Sequence, residues 1–319
     1  MQILITGASG FIGKPLVEKL LLSGHAVQVV TRDTNKHFPD GVKVINADLT
    51  DSNCELTNSL STCDVILNCA GEIHTETKMH ALHVEGTKKL LDALKISAGN
   101  TEKPKHWVQL SSVGAYGPPN AAGQSRIITE SSPHNPKGEY EITKTLADQL
   151  LIDAAKESNI TFSILRPSNV IGPCMLNQSF FGLLNSIKDR NFFYIGSKKS
   201  ITTYIHVDDV VDVLILCTHD MRAKNQVFNL SNDCGLAEIV AKVSRVFGRE
   251  DRCLCLPETL LRFIVCTLSS IVSLPLTKRR IDFLVAKTTY PSTKILELLD
   301  FKPSRSILDF ASSHLITSK

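Results

Sequence analysis

Hydrophobic residues are grouped in short runs along the first half of the chain, and these runs alternate with longer segments of helical period. Val, Ile and Leu dominate the short runs, which is typical of strands buried on both faces of a parallel sheet. The longer segments repeat apolar residues every three or four positions, as amphipathic helices do. The pattern therefore predicts repeated βαβ units up to about residue 170. The predicted strands are 2–6, 26–31, 42–46, 64–69, 106–111 and 161–166, and the predicted helices are 11–23, 76–97 and 138–157.

The alternation weakens beyond Pro173. The pattern there predicts helices at 178–189 and 207–218, strands at 201–205 and 226–230, and mostly helix afterwards. We therefore predict an α/β fold, with a Rossmann-type doubly wound parallel sheet in residues 1–172 and a smaller, mostly helical C-terminal α/β substrate lobe in residues 173–319. No flexible linker separates the two parts, so we expect them to share a cleft.

Composition excludes several functional classes. The chain has 319 residues, of which 43% are hydrophobic, and this is enough for a sizeable core. The net charge is only +3, and the basic residues are interspersed with acidic ones, so we predict no nucleic-acid partner. The nine cysteines include no Cys-x-x-Cys pair, which predicts reduced core cysteines and no metal site. Because the chain opens on a strand, without a charged leader, we expect a cytoplasmic protein.

The least polar stretch, residues 260–276, is interrupted by Arg262, three serines and Pro275. It falls short of the ~20 apolar residues that a membrane-spanning helix needs, so we predict no transmembrane segment. A buried core helix is the main interpretation of this stretch. A helix lying on a membrane surface or in a dimer interface is the alternative.

The first strand runs directly into a glycine-rich turn with the sequence GASGFIG at 7–13. Gly7 permits a tight turn, Gly10 lets the backbone approach a pyrophosphate, and Gly13 allows the helix to pack closely on the strand. The N-terminus of the following helix offers free N–H groups for phosphates. At the first strand of a βα series, this motif predicts a dinucleotide site.

The end of the second strand bears on the choice of nicotinamide cofactor. Arg32 follows this strand, and Asp33 comes next. An acid here would accept hydrogen bonds from the ribose of NAD, whereas an arginine pairs with the 2′-phosphate of NADP. Because Arg32 is nearer the strand end, we predict NADP as the preferred cofactor. NAD, selected by an inward-turned Asp33, is the alternative.

Tyr140 and Lys144 lie one helical turn apart on one face of a predicted helix. An ammonium group near a phenol lowers the phenol's pKa, so that it can exchange a proton with a substrate oxygen. Ser111 and Ser112 follow the strand at 106–111, and Ser112 could stabilise charge on the reacting oxygen. The alternative interpretations are a solvated helix face for the first pair and a simple turn for the serines.

These motifs resemble those of the extended short-chain dehydrogenase/reductase family, also called the NAD-dependent epimerase/dehydratase family. They occur in the family's order and extend over about two thirds of the chain. The matching segments are TGASGFIG at 6–13, Asp48-Leu49, NCAG at 68–71, LSSVGAYG at 110–117, Tyr140 with Lys144, RPSNVIGP at 166–173 and YIHVDDVV at 204–211.

The resemblance implies roles for individual residues. Ser112, Tyr140 and Lys144 would form the catalytic triad, and Asn169 would lie near a substrate phosphate. His206 would order the second lobe, or simply cap the helix at 207. The implied cofactor residues are Gly7, Ser9, Gly10, Phe11, Ile12 and Gly13 at the pyrophosphate, Arg32 at the adenosine ribose, Asp48 and Leu49 at the adenine, Ala70 and Gly71 along the dinucleotide, Tyr140 and Lys144 at the nicotinamide ribose, and Pro167 and Val170 at the nicotinamide. Family habit also implies a homodimer formed through the helices at 76–97 and 138–157.

The chain departs from the family pattern at two places. Members acting on nucleotide sugars often carry an arginine before the aromatic-x-His-Val segment, and this chain has Ile201-Thr202-Thr203 there. Either the clamp comes from elsewhere or the substrate lacks a diphosphate. Lys198 and Lys199 could substitute for the arginine, and two solvated loop lysines are the alternative interpretation. In addition, His83 occupies the place of the family's usual asparagine.

The segment at 71–76 is similar to that of bacterial surface-polysaccharide enzymes that reduce or epimerise the 4-position of UDP-N-acetylhexosamines. Because they follow a strand end at the cleft, Glu72 and His74 are predicted substrate contacts, and exposed positions at a helix start are the alternative interpretation. The leading functional hypothesis is reduction of a 4-keto group on a UDP- or dTDP-linked sugar by NADPH, with a proton from Tyr140. The alternatives are an NAD-dependent 4-epimerase and a non-catalytic dinucleotide-binding protein on the same fold.

Overall fold

Seven parallel strands form the central sheet in the computed structural model, which describes residues 1–51, 54–98, 105–119, 124–175, 178–268 and 276–317. The strands in chain order are β1 (Gln2–Thr6), β2 (Ala26–Thr31), β3 (Lys43–Asn46), β4 (Val65–Asn68), β5 (Lys105–Leu110), β6 (Ser125–Ile127), β7 (Ile160–Pro167), β8 (Asn169–Ile171), β9 (Tyr194–Ile195), β10 (Ile201–His206), β11 (Gln226–Leu230), β12 (Asn232–Gly235), β13 (Cys255–Leu256) and β14 (Lys287–Thr289). The central sheet has the order β11-β7-β5-β4-β1-β2-β3. Its carboxyl ends form one edge, where a doubly wound sheet binds its ligands.

Helices cover both faces of this sheet. The helices are α1 (Gly13–Leu22), α2 (Thr57–Thr62), α3 (Glu76–His80), α4 (Gly86–Ala98), α5 (Glu139–Glu157), α6 (Ser179–Lys188), α7 (Val207–His219), α8 (Leu236–Val246), α9 (Glu258–Leu268), α10 (Lys278–Val285), α11 (Thr293–Leu299) and α12 (Ile307–Thr317). Apolar residues of α1, α7 and α11 pack on one face, and those of α2, α4 and α5 pack on the other. The fold is therefore the doubly wound α/β architecture that the sequence pattern predicts.

The predicted strands agree with the structure to within one residue at each end. The main local difference concerns the predicted helix 76–97, which is divided into α3 and α4 by a π-helical turn at Ala81–Glu85. A π-helical turn accommodates one extra residue without ending the helix, and hydrophobic periodicity does not reveal it.

The strand at 226–230 lies in the central sheet, although it follows the predicted lobe boundary at residue 172. Here β11 pairs in parallel with β7 and forms the edge of the sheet. Helix α7 connects to it and packs on the same core as α1. The central sheet therefore includes one strand from beyond residue 172, and β8, α6, β9, β10 and α7 lie between β7 and β11 along the chain.

The second lobe is built around a core of its own. Residues of α6, α8 and α12 pack there against β10, with Phe180 and Tyr204 in edge-to-face contact at 4.9 Å between ring centroids. A short sheet, β12-β10-β8, joins this lobe to the segment that leaves β7. Asp209 on α7 accepts hydrogen bonds from the backbone N–H groups of Ser304 and Arg305. These bonds connect the C-terminal segment to α7, which packs on the central sheet.

All nine cysteines are free thiols, as predicted. The expectation that they lie in the core is wrong for Cys174, Cys255 and Cys266, which are exposed, because exposed loop and helix positions lie within these apolar stretches. Of the stretch 260–276, residues 269–275 lie outside the described residues. No helix in the described ranges is long and apolar enough to cross a membrane.

A buried ion pair joins the longest helix to the sheet. Arg166 on β7 donates to the same carboxylate oxygen of Asp148 on α5 through Nε at 3.1 Å and Nη2 at 3.0 Å, and both side chains are almost completely buried. Ser111 donates to this oxygen as well, at 2.7 Å. Arg166 Nη1 also donates to the hydroxyl oxygen of Tyr116 at 3.1 Å. The position of α5 along the sheet is therefore set by hydrogen-bonded charge as well as by packing.

Replacing Arg166 with Met should lower the free energy of unfolding by about 3–5 kcal/mol, because the carboxylate of Asp148 would then be buried without its charged partner. Urea unfolding curves would measure this change. The control is Arg252→Met, which removes an exposed pair with Glu250 and should leave the curve unchanged within error. A loss below about 1 kcal/mol for Arg166→Met would contradict this account of the ion pair.

Candidate active site

The turn after β1 has a shape that only glycine allows. Gly7 has a φ of +71°, and a Cβ atom on it would lie 2.5 Å from the carbonyl oxygen of Cys69. A Cβ atom on Gly13 would overlap the carbonyl oxygen of Gly7. The N–H of Gly10 donates to this same oxygen at 3.0 Å, and Gly10 itself is exposed. The predicted roles of Gly7 and Gly13 in the turn and in helix packing therefore agree with the geometry.

The N-terminus of α1 fits a bound pyrophosphate. No side chain caps it, and no acidic residue lies in its first turn. Backbone N–H groups at such an end attract anions. Phe11 lies beside this end and packs against the core of the second lobe. A Cβ atom added to Gly172 would lie 3.3 Å from Cζ of Phe11. The glycine turn therefore lies where the two parts of the chain meet.

A cleft of about 520 Å³ lies next to the glycine turn. On one side it is lined by Ala8, Ser9 and Lys14, and on the other by the loop of residues 35–39. Lys36 and His37 belong to this loop, so basic side chains face the cleft from both sides. Sequence reasoning missed Lys14 and Lys36, because a lysine in a loop or a first helical turn is usually solvated.

Arg32 and Asp33 behave differently at the end of β2. The carboxylate of Asp33 accepts the N–H of Asn35 at 3.0 Å, so it stabilises its own loop. Arg32 is exposed. Its charge contributes to the lowered pKa of Asp48, which is due first to the hydrogen bond from the N–H of Thr50.

Lys144 reaches the carboxyl ends of two neighbouring strands. Its Nζ donates to the carbonyl oxygen of Leu110 at 2.7 Å and to that of Ala70 at 3.3 Å. Ala70 follows Cys69, whose carbonyl oxygen lies against Gly7. Burial lowers the pKa of Lys144, and the nearby charge of Asp148 acts in the opposite direction. The structure therefore brings the ammonium group and the glycine turn to the same edge of the sheet.

Tyr140 lies one turn before Lys144 and is half-buried. Its ring meets that of His83 edge-on, with centroids 5.6 Å apart. The pKa of Tyr140 is raised to about 12, first by burial and then by the charges of Glu141 and Asp148. This is opposite to the predicted lowering by Lys144, because burial disfavours the phenolate. Tyr140 therefore keeps its proton at neutral pH.

The two serines after β5 have different roles. The hydroxyl of Ser111 points inward and donates to Asp148. Ser112 begins a 3₁₀ turn at Val113–Tyr116, and its oxygen accepts the N–H of Gly114 at 3.0 Å. This turn packs on the start of α5, because a Cβ on Gly114 would lie 2.6 Å from Cγ of Glu141. Ser112 is thus both a turn residue and a neighbour of the tyrosine helix.

The loop after β4 is exposed and lies beside this cluster. Glu72 is turned into the loop, where its carboxylate accepts the N–H groups of His74 at 2.8 Å and Thr75 at 3.1 Å. His74 is exposed. The buried His83 accepts the N–H of Glu72 at 2.9 Å through Nε2. His83 therefore contacts both the loop after β4 and the ring of Tyr140.

The remaining predicted residues lie at or beyond the carboxyl ends of β7 and β3. Asn169 donates to the carbonyl oxygen of Thr203 at 3.0 Å and so connects β8 to β10. Pro167 ends β7 in the core, and Val170 is partly buried beside it. Leu49 is buried against the position of Gly86.

The structure places two of the side chains around YIHVDDVV in structural roles. Lys198 forms an ion pair with Asp251 at 2.9 Å and lies over the ring of Tyr194. Both of its partners therefore belong to the second lobe. His206 caps α7 by accepting the N–H of Asp208 at 3.2 Å through Nδ1. The capping interpretation of His206 is therefore the one that the geometry supports.

A buried polar seam through the middle strands was not predicted. Thr6 donates to Asn68 at 2.5 Å, Asn68 donates to Gln109 at 3.0 Å, and Trp107 donates to the same oxygen of Gln109 at 2.8 Å. The seam aligns β1, β4 and β5 at their carboxyl ends, and Thr6 also accepts the N–H of Ala70 at 3.2 Å. Sequence patterns cannot reveal it, because its partners come from three separate strands.

Residues 3–231 match the model of the NAD dependent epimerase/dehydratase family. The matched region contains the glycine turn, the serine turn, Tyr140, Lys144 and all seven strands of the central sheet except the first residue of β1.

Individual relatives of several activities resemble the chain. The UDP-glucose 4-epimerase of Vibrio cholerae is 27% identical over 256 residues, which is 76% of this chain and 75% of the relative. The bifunctional dihydroflavonol 4-reductase/flavanone 4-reductase of Malus domestica is 28% identical over 264 residues, 75% of this chain and 74% of the relative. The crystal structure of UDP-glucuronic acid 4-epimerase from Bacillus cereus in complex with NAD has a TM-score of 0.72 at 19% identity, over 98% of this chain and 94% of the other.

Replacing Gly7 with Ala should weaken binding of both NADH and NADPH at least about tenfold, because the new Cβ would force the turn away from Cys69. Isothermal titration calorimetry would measure the two affinities. The matched control is Gly24→Ala, since Gly24 also has a positive φ, +75°, but has no atom within 4 Å of the Cβ position. The control should lose about 1 kcal/mol of stability from backbone strain and bind both nucleotides normally. Equal binding by the two variants would exclude this turn as the pyrophosphate site.

Proposed function

This chain belongs to the NAD-dependent epimerase/dehydratase family of enzymes, and from that premise we propose that it reduces a carbonyl group of a nucleotide sugar with a hydride from NADPH. The observation that carries the proposal is the position of Lys144, whose ammonium group joins the carboxyl ends of β4 and β5 beside the glycine turn. Tyr140 lies on the same face of α5, one turn earlier.

The residues of the chain divide the proposed reaction between them. Gly7, Gly10 and Gly13 shape the pyrophosphate site, and the nicotinamide ring would lie near Pro167 and Val170. When bound, the dinucleotide supplies the hydride that reduces the carbonyl carbon. Tyr140 donates the proton to the carbonyl oxygen, which completes the alcohol, while Ser112 donates a hydrogen bond to that oxygen.

The protonation state of Tyr140 suits a proton donor. With its pKa raised to about 12, the phenol is protonated at neutral pH and can serve as an acid. Lys144 then stabilises the phenolate left after the proton has moved, and its own charge is held by two carbonyl oxygens.

The adenosine end supports NADPH as the preferred cofactor. Asp33 is engaged by the N–H of Asn35, so it is committed to its loop, whereas Arg32 is exposed at the strand end. Lys14 and Lys36 line the adjacent cleft together with Glu18, and Lys36 lies 3.7 Å from the carboxylate of Asp33. A 2′-phosphate carries about two negative charges and is suited to such a basic setting. NAD remains the cofactor of the alternative function.

Two relatives suggest the substrate class. One relative is named UDP-glucose 4-epimerase and another is named dTDP-glucose 4,6-dehydratase. Both names describe enzymes that act on a nucleotide sugar at C4. We therefore propose a 4-keto sugar linked to UDP or dTDP, with Asn169 near its phosphates and the loop at 71–75 near the sugar. The residues at 201–203 belong to β10, where Thr202 and Thr203 are buried, so contacts to the diphosphate come from other residues.

A 4-epimerase is the second candidate. The epimerases among the relatives and structural neighbours of this chain favour 4-epimerisation, and the structure of one of them contains NAD. In that case Tyr140 first removes a proton from the 4-hydroxyl group and later returns one, and no cofactor is consumed. The presence of both Tyr140 and Lys144 on one face of α5 argues against a binding protein that lacks catalysis.

We also propose that the enzyme is a homodimer formed through α4 and α5. Both helices expose large apolar residues, with Ile96 66% and Leu146 44% exposed. Sedimentation equilibrium tests this assignment, and a monomer at micromolar concentration would exclude it.

Incubation with a panel of UDP- and dTDP-linked 4-keto sugars should consume NADPH in preference to NADH. The loss of absorbance at the nicotinamide band measures this consumption.

The variant Arg32→Gln should bind NADPH at least about tenfold more weakly and should bind NADH almost as well as the native enzyme does, because only NADPH has the 2′-phosphate. Arg245→Gln, an exposed arginine of α8, is the control. Interconversion of 4-hydroxy isomers without net NADPH oxidation would instead establish the epimerase.

Replacing Tyr140 with Phe should lower kcat by a factor of about 10²–10⁴ while the affinity for NADPH is retained, because only the proton donor is lost. Tyr194→Phe is the control, since the hydroxyl of Tyr194 donates to Asp251 in the second lobe. Full turnover by Tyr140→Phe would contradict catalysis by this phenol and favour the non-catalytic alternative.

A further inference from the structure

His83 lies where the loop after β4 meets the catalytic helix. It is 2% exposed and is the buried member of the π-helical turn at Ala81–Glu85. Its ring contacts three parts of the site: the backbone of Glu72, the hydroxyl of Thr143 and the ring of Tyr140. A buried polar ring with this many partners is constrained in position as well as in protonation.

The hydrogen bonds around His83 determine its tautomer. Thr143 uses its one hydroxyl proton to donate to the carbonyl oxygen of Glu139 at 2.7 Å. Nδ1 of His83 lies 2.8 Å from the same hydroxyl oxygen, so Nδ1 carries a proton and donates it. Nε2 accepts the N–H of Glu72 and therefore carries none. The ring is neutral, with its proton on Nδ1.

The charges that face the ring agree with a neutral state. They are those of Lys144 and Glu72, while the phenol of Tyr140 is uncharged. Burial lowers the pKa of His83 to about 3, and the Lys144 ammonium adds to this effect while Glu72 opposes it. The bond to Glu72 therefore persists across the physiological pH range, because protonation of Nε2 would replace an acceptor with a second donor.

We infer that His83 is a positioning residue, whose neutral imidazole fastens the loop Gly71–Thr75 to α5 and so sets the distance between the substrate-facing loop and Tyr140. The bond fixes the backbone at Glu72, and the carboxylate of the same residue holds the next turn through His74 and Thr75. One acceptor atom on His83 therefore anchors the exposed loop at Glu72. The inference depends on the proposed function only in taking this loop as the one that faces the sugar.

Two substitutions separate the two ends of the imidazole. Glutamine places a polar atom near the position of Nε2 and can still accept the N–H of Glu72. Asparagine reaches only the position of Nδ1, so it can keep the bond to Thr143 but leaves the N–H of Glu72 without its partner. The exposed His80 on α3, three residues earlier, provides the control variant His80→Asn.

The first test is the tautomer itself, which long-range ¹H–¹⁵N correlation spectra of histidine-labelled protein report directly. One histidine, absent from the spectra of both His83 variants, should show a protonated Nδ1 and a bare Nε2, unchanged between pH 8 and pH 5. A proton on Nε2, or titration of this ring near its ordinary pKa of about 6.5, would overturn the inference.

The second test measures the loop. Amide exchange at Glu72 should be at least about tenfold faster in His83→Asn than in the native enzyme, and close to native in His83→Gln and His80→Asn. With a 4-keto sugar from the panel, KM should rise about tenfold in His83→Asn while kcat and NADPH affinity change less than about twofold, and His83→Gln should restore KM to within about threefold.

Equal losses in the Asn and Gln variants, with kcat and thermal stability falling together, would mean that His83 only fills space, and the inference would fail. If no sugar in the panel is turned over, the proposed substrate class fails instead. The tautomer and the exchange rate at Glu72 would still support or overturn the role of His83, since neither needs a substrate.

Discussion

The buried ammonium group of Lys144 is the interaction on which the arrangement of the site depends. A charge removed from water is costly unless it is paired and hydrogen-bonded. Here it donates to the carbonyl oxygens of Ala70, two residues beyond β4, and of Leu110, the last residue of β5. Because these acceptors lie at the carboxyl edge of the sheet, the ammonium group cannot shift without losing its partners, and α5 is held in one register against the sheet.

The rest of α5 supports this register. One turn beyond Lys144, Asp148 binds Arg166 of β7 and Ser111 at the end of β5, so the helix is attached to the sheet at a second buried point. On its N-terminal side, Thr143 and Tyr140 meet His83 from the neighbouring helical segment. The phenol of Tyr140, the proposed proton donor, is therefore placed by three sets of contacts, none of which involves its own hydroxyl. Its orientation precedes any contact with substrate, which is what preorganisation of a catalytic group requires.

Much of this could be predicted from the sequence, because the signals are local. Runs of Val, Ile and Leu located the strands to within a residue, and the need for glycine at 7 and 13 follows from the strand–turn–helix context. Other features depend on residues far apart in the chain. Strand β11 pairs with β7 in the central sheet, although an insertion separates the two strands along the chain. The pKa of Tyr140 is raised by burial, which helical spacing alone does not reveal. His83 could be recognised as unusual, but its partners Glu72 and Thr143 are known only from the fold.

The two halves of the site are specified in different ways, and this explains why the family was easier to predict than the substrate. The cofactor half depends on backbone shape: a side chain at Gly7 or Gly13 would collide with the main chain, so few sequences satisfy it and the motif is recognisable. On the substrate half, Glu72, Asn169 and Lys198 are each hydrogen-bonded to other protein groups. Their charged and amide groups stabilise loops and strands of the protein as well as being available to a ligand. Selectivity for the proposed sugar substrate would then arise from where these loops are held, and the bond from Glu72 to His83 holds one of them beside α5, which carries the proposed proton donor Tyr140.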